Sequence, residues 1–499
     1  MKRTGFISSK RKLIAALAAA CALSLSVPMT AHAEVPYETY CYNYYSEGVA
    51  QPHVYLYDST LSFGSFELSL KNPQDMFIQR GFIYIADTDN SRIVKTNEAG
   101  ELLMEIKNAS GPEDLLSKPQ GVFVAEDGRI FVADSGNGRV VEYDKEGNFI
   151  RSIGRPVTDL IDDTVVYIPQ KVVVDNDGRI YVSAYGINLG LIEFDMEGNF
   201  QSFMGAAQVS VSPFEYIWKN YFSTKEQRAR MATIVPTEYS NIFVDKNNFI
   251  YATIGNLSRE DMLNGADAVR RLNPTGKDIL RRLGHYPING DQYKSADGNW
   301  SSFYDITATD YGCYFILDNA NGKVFGYDYD GNSLFVFGRN GYREGNVQNA
   351  VAIGANEDAS KLYILDYKLN SILVYTITEY GEHLLSALRL NDLGDSEGSI
   401  AEWKEVLRLN GNSEFAYTGL GKNFLAEGDY VAAMDYFKSG NNRKYYSKAL
   451  YYHRKELMER NFGKIMLILA IVILIPITIV CIRKIKRWAG EVRCNMQEN

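Results

Sequence analysis

Histidine is scarce in this chain, with five among 499 residues. His32 lies in an N-terminal apolar leader, and His383 and His453 lie near the C-terminus, so His53 and His285 alone remain for the central region. That is too few, too dispersed, for a metal centre built on imidazole. Cysteine is equally rare at five. Cys21 is in the leader, Cys481 and Cys494 are at or beyond a late apolar run, and Cys41 and Cys313 are left between. Far apart in sequence, these two are expected as buried thiols, with a disulfide between them left open. No H-E-x-x-H pair occurs, and the single G-x-S-x-G spacing, Gly394 to Gly398, falls in the helical region and not after a strand, as an elbow requires. Basic residues are outnumbered, 52 Lys and Arg against 61 Asp and Glu for a net charge of -9, which argues against a nucleic-acid partner.

Long apolar runs number two, one at each end. Residues 1–33 carry a basic start, an apolar stretch from Leu13 to Val27 and an Ala31-His32-Ala33 exit, the layout of a cleaved signal peptide. Lipidation at Cys21 is the alternative. Residues 465–482 are uncharged and long enough for a transmembrane helix, with Pro476 inside it. The basic tail 483–499, opening with Arg483, Lys484, Lys486 and Arg487, is expected to stay cytoplasmic. Together these predict a single-pass type I protein of the cell membrane, with its ectodomain outside.

Between the runs the sequence repeats itself. "PQDMFIQRGFIYIADTDNSRIVKTNEAGEL" from Pro73 returns as "PQGVFVAEDGRIFVADSGNGRVVEYDKEGNF" from Pro119, and a weaker copy begins at Phe303. Short alternating strands joined by Asp-Gly and Asn-Gly turns, at a spacing of 40 to 50 residues, predict an all-β propeller over 72–376. Each repeat parses into four strands. A ring needs closure, and residues 34–71, rich in strand-forming side chains over 37–58, are expected to supply a strand to the last blade.

One phrase recurs. It reads Ala86-Asp87-Thr88-Asp89-Asn90-Ser91-Arg92, then Ala133-Asp134-Ser135-Gly136-Asn137-Gly138-Arg139, then Leu317-Asp318-Asn319-Ala320-Asn321-Gly322-Lys323, and in part Leu365-Asp366. These residues resemble the NHL repeat, and the resemblance implies a six-bladed ring. Copies three and four keep the strands and lose the Asp. Asp87, Asn90, Arg92, Asp134, Asn137, Arg139, Asp318, Asn321 and Asp366 are read as turn architecture: a carboxylate accepts backbone N–H groups and Asn tolerates the left-handed conformation. "DNDG" at Asp175 and "DYDG" at Asp328 lack the remaining ligands of a calcium loop and are read as hairpin turns.

The irregular loops share a parity. In a four-stranded antiparallel blade the 1–2 and 3–4 turns lie on one rim, and the 2–3 turn and the crossover to the next blade lie on the other. The insertions at 107–118, 154–168, 205–236, 254–267 and 284–302 all fall on the second rim. Binding sites concentrate on long loops over a rigid scaffold. Phe214, Tyr216, Trp218, Tyr221 and Phe222 crowd one insertion, and Tyr286, Tyr293, Trp300 and Tyr304 accompany another. Such aromatics suit a saccharide or a peptide; burial as a cap on the ring is the competing reading.

After the ring the period becomes helical. Over 380–461, Gly394, Asp395 and Trp403 recur as Gly428, Asp429 and Phe437, an interval of 34 residues that resembles tetratricopeptide (TPR) repeats. The expected architecture is thus an all-β six-bladed propeller (NHL-type), then a small all-α TPR-like stalk and one transmembrane helix. The expected role is binding without catalysis, the rim taking a protein or carbohydrate ligand and the stalk serving as spacer or partner module. No cofactor is expected; calcium held by acid and amide groups from separate blades stays open, and with it the alternative of a metal-dependent lactonase-like hydrolase working in the central channel.

Overall fold

The computed structural model describes residues 35–63, 69–162, 164–205, 238–257, 259–263, 266–291 and 300–497. Between Tyr37 and Asn499 it forms one compact unit.

Six antiparallel sheets form the ring. Blade 1 runs Asp75–Gln79, Phe82–Asp87, Arg92–Asn97, Leu102–Ile106, and blade 2 runs Gly121–Val124, Ile130–Asp134, Arg139–Tyr143, Phe149–Ile153. Blade 3 spans Ile168–Met204 with four strands. Blade 4 has three among the described residues, Asn241–Val244, Ile250–Thr253 and Val269–Leu272, and its outer edge is completed by a lone bridge from Leu272 to Asp278 instead of the fourth strand expected. Blade 5 runs Phe303–Ala308, Tyr314–Asp318, Lys323–Tyr327, Ser333–Phe337. Blade 6 comprises Ala350–Ala355, Lys361–Asp366, Ser371–Ile377 and, as its outermost strand, Tyr55–Ser62 from the N-terminal segment. First strands contact one another around a closed cycle. The core therefore lies between blades, in clusters of Val, Ile, Phe and Tyr.

Local chemistry sets the turns. Gly128 and Gly147 adopt φ of 91° and 86°, as tight hairpins require, and the Asp144 carboxylate accepts the N–H groups of Glu146 and Asn148 at 3.0 and 2.7 Å. Gly121 is required by contact: a Cβ there would lie 2.5 Å from the Gln170 carbonyl oxygen of the next blade.

The N-terminal segment does more than join blade 6. Tyr40–Tyr42 and Gly48–Ala50 form a hairpin that extends blade 5 to six strands, Tyr40 pairing with Val336. Cys41 and Cys313 are both free thiols; burial pushes the Cys41 thiol up to about 11.

The third strand of blade 6 ends on the rim of 1–2 and 3–4 turns. Thr378 caps the next helix there, its hydroxyl accepting the Gly381 N–H at 3.1 Å. Helices Glu379–Asp392, Ser396–Leu409, Glu414–Glu427 and Tyr430–Ser439 follow, each capped by a Thr, Asp or Ser side chain. They dock on blade 5 and the N-terminal hairpin: Lys422 binds Asp330 at 3.0 Å, and Glu414 accepts the Tyr44 N–H at 2.9 Å. One helix, Arg443–Gln497, continues without interruption through the late apolar run and Pro476.

Candidate functional site

The repeated phrase has one geometry wherever it is complete. Buried Asp134 accepts the Ser117 N–H at 2.7 Å, the Asn137 amide at 2.8 Å and the Arg139 guanidinium at 2.8 Å. Asp87 accepts Lys71 N–H, Asn90 and Arg92 at 2.7, 2.8 and 2.6 Å. Each carboxylate thus ties its 2–3 loop to the preceding crossover. Arg92 and Arg139 also reach Glu105 and Asp114, at 2.6 and 2.7 Å. Asp366 accepts four backbone N–H groups, from Gln348, Asn349, Lys368 and Leu369. Asp318 holds the Ser302 N–H and Asn321, yet the base of its copy turns away: Lys323 binds Asp291 at 2.6 Å and the Tyr40 hydroxyl at 3.1 Å. With no cation beside it among the described residues, burial raises the Asp318 carboxyl.

A second device was not singled out in the sequence. Hydroxyls at the ends of second strands donate to the next blade's carbonyls: Thr88 to Pro119 at 2.7 Å, Ser135 to Pro169 at 2.6 Å, Ser183 to Tyr239 at 2.7 Å and Thr253 to Tyr304 at 2.9 Å. The amide of Asn319 does the same to Ala350. Blades 3 and 4, which lack the Asp, keep this blade-to-blade bond. The only signal in the sequence is a small hydroxyl residue ending the strand.

The central channel is a cavity of about 710 Å³ that reaches the 1–2 turns, among them those of Arg80, Glu126, Lys246 and Asp310. Its apolar wall includes Phe77, Phe123, Val173 and Phe243. Four buried polar residues from separate blades form its floor: Asp75, Lys171, Asn241 and Asp305. Lys171 lies 2.6 Å from Asp75, whose other oxygen accepts the Val122 N–H at 2.9 Å. Asp305 accepts the Asn241 amide, the Ile306 N–H at 2.7 Å and the Ile353 N–H at 2.6 Å. The Asn241 carbonyl oxygen takes the Ile242 N–H at 2.7 Å. Burial, and then the Asp75 charge, push Asp305 up to about 7, against the pull of Lys171. Burial also raises Asp75. Burial disfavours the Lys171 charge, but Asp75 and Asp305 outweigh it and hold its pKa above the usual value. As an acid and amide set for calcium these residues do not fit. Both Asp75 oxygens, both Asp305 oxygens and the Asn241 oxygen already accept protein donors, and the cation among them is an ammonium. Among the described residues, no three His, Cys, Asp or Glu side chains group as metal ligands.

The NHL repeat profile matches residues 116–143. That span holds one of the two complete copies of the phrase. No curated protein sequence matches the chain. Solved structures similar to it include a streptogramin B lyase (13% identity, 64% of this chain and 87% of that one, TM-score 0.36). They also include hydrazine synthase from Kuenenia stuttgartiensis (13%, 62% and 84%, 0.38) and a gluconolactonase from Xanthomonas campestris (10%, 64% and 89%, 0.42). At that distance they place no functional residue here.

The crossover rim exposes apolar side chains. Val157 is 93% exposed, Val166 70% and Leu160 69%, all in one crossover, with Leu115, Tyr185 and Leu189 also exposed on neighbouring loops. These loops adjoin: the Asn137 amide bonds the Leu115 carbonyl at 2.9 Å, and Ile168 pairs with Tyr185. The Glu238 carboxylate accepts the Gly186 N–H at 2.9 Å, bringing the far end of the longest insertion to the same sector. Phe214, Tyr216, Trp218, Tyr221, Phe222 and Tyr293 lie outside the described residues. Trp300 is half-buried, and Tyr286 is buried with its ring stacked on Tyr42 at 3.5 Å, so this member of the aromatic set packs instead of facing solvent.

Proposed function

We propose that this protein is a membrane-anchored binding scaffold whose crossover rim takes a protein ligand. The carrying observation is the cluster of exposed aliphatic side chains, Leu115, Val157, Leu160 and Val166, on the rim opposite the one the helices occupy. Aliphatic surface that stays in water marks a protein contact, and it is less suited to a sugar ring than aromatic faces are. The chain leaves the ring on the other rim, so the ligand-bearing face stays clear of the anchor. The apolar stretch of Arg443–Gln497 supports one membrane crossing by length and composition. The leader and the basic tail support an ectodomain outside, and the 34-residue interval supports a TPR-like stalk. Trp218, Tyr221 and their aromatic neighbours are proposed to extend the same binding rim.

A lactonase-like hydrolase would need an electrophile in the channel. The floor supports that reading poorly, because its oxygens are committed to backbone N–H groups, Asn241 and Lys171.

The test is affinity capture with the full-length chain, compared with the double variant Val157→Asp, Leu160→Asp. The ligand is the protein held by the native chain and depleted about tenfold by the variant, a change near 1.4 kcal/mol. Identical captured sets from both chains would overturn the proposal.

A further inference from the structure

The helix Arg443–Gln497 bears a second unpartnered apolar face, above the apolar run. Its first turns pack inward: Ala449 is fully buried, Tyr445 stacks on Phe437 at 5.4 Å and Tyr452 on Tyr430 at 5.7 Å. The opposite face leaves Tyr451, Met458 and Phe462 exposed by 64%, 62% and 63%. With Lys455 between them and Ile465 and Leu469 beyond, the order Tyr451, Lys455, Met458, Phe462, Ile465, Leu469 alternates steps of four and three, the heptad seam of a coiled coil.

The charges beside the seam select the occupant. Tyr451, Met458 and Ile465 take the d positions and Lys455, Phe462 and Leu469 the a positions. Arg454 then falls at g and Glu459 at the following e. In a parallel pair, g of one helix faces the next e of the other, so Arg454 meets Glu459 of a second copy twice across a two-fold axis. An antiparallel pair gains no such match. Lys455, 3.9 Å from Glu459 of its own helix, is a polar residue at a single a position, a device that fixes register and number at some cost in stability. Copies anchored in one membrane with the same orientation are parallel by construction. At 1.5 Å per residue, this 55-residue helix extends about 80 Å, a rigid rod on which the seam runs unbroken into the apolar stretch.

We infer that two copies of this chain associate in parallel through the face Tyr451, Lys455, Met458 and Phe462, with reciprocal Arg454–Glu459 pairs. The inference rests on the anchoring reading above. Paired scaffolds present two crossover rims to one ligand assembly, which raises avidity without new rim contacts.

Single cysteines introduced into the full chain in its membranes test this, in a Cys481→Ser, Cys494→Ser background. Mild oxidation should link Met458→Cys and Phe462→Cys into dimers at least about fivefold more than His453→Cys and Arg460→Cys, which lie at f on the outside of the pair. Arg454→Glu should lower the dimer fraction, and adding Glu459→Arg should restore it. A chain that resists carbonate extraction but links equally at all four positions, or at none, overturns the inference alone; lipid or a different protein then covers the face. A chain released by carbonate overturns the anchoring reading, and the inference with it.

Discussion

Lys171 and Asp75 make a 2.6 Å ion pair across the channel floor, joining blade 3 to blade 1, with both side chains buried. The ammonium lies in the field of two carboxylates, Asp75 and Asp305. Removing one partner of a buried pair leaves an uncompensated charge and costs about 3–5 kcal/mol. Lys171→Met should therefore lower stability by roughly that amount at neutral pH, read from urea unfolding. A loss below about 1 kcal/mol would mean that the pair contributes no more than an exposed one.

Asp305 gives the floor a pH signature. Its folded-state pKa of about 7 lies above the ordinary carboxylate value. Between those two values the folded state binds more protons than the unfolded one, so its contribution to stability falls as pH rises, being complete near pH 4 and lost above pH 7. The raised Asp75 carboxyl acts in the same sense. The thermal midpoint should drop between pH 5 and pH 8, and Asp305→Asn should flatten that drop. An unchanged slope in the variant would assign the effect elsewhere.

The repeated phrase predicts stability rather than binding. Asp134→Ala strands the Ser117 N–H, whereas the Asn137 amide keeps the Leu115 carbonyl at 2.9 Å and Arg139 keeps Asp114 at 2.7 Å. A loss of about 1–3 kcal/mol is expected, measured by denaturant unfolding. Full stability in this variant would contradict an architectural role.

Much of the ring could be read directly from the residues. Asp-Gly and Asn-Gly turns marked the hairpins, and strand parity sorted most loops by rim, because both depend on neighbours in sequence. Parity failed for 284–302, since blade 4 has three strands among the described residues and Gly284 lies against Gly331 in the 3–4 turn of blade 5. Other features depend on distant pairs and leave no local mark. Tyr40 against Val336 is one, and the ammonium of Lys171 against Asp75 is another. Lys323 shows the limit from the other side. As a conservative change of Arg it suggests the same ion pair, yet a hairpin docked from nearly 300 positions away offers Asp291 a shared site with Tyr40. Val157 and Leu160 drew no attention as sequence, since a short aliphatic pair in a loop becomes informative only once its exposure is known.

The joint between ring and helices rests partly on Lys422 and Asp330, both mostly shielded, and Arg281 shares the carboxylate at 3.0 Å. Burial opposes the Asp330 charge, but Lys422 and Arg281 hold its pKa below the usual carboxylate range. A double-mutant cycle with Lys422→Ala and Asp330→Ala should give a coupling of about 1 kcal/mol, read from the unfolding of the full chain. Strictly additive losses would show that the pair carries no joint.

The account stands most directly on where a ligand touches the ring. A photoreactive residue placed at Leu160 on the crossover rim, and in a second chain at Arg80 on the opposite rim, should be irradiated in intact cells. A discrete heavier adduct from position 160 and none from position 80 is the predicted result; an adduct from position 80 alone, or from neither, would contradict it.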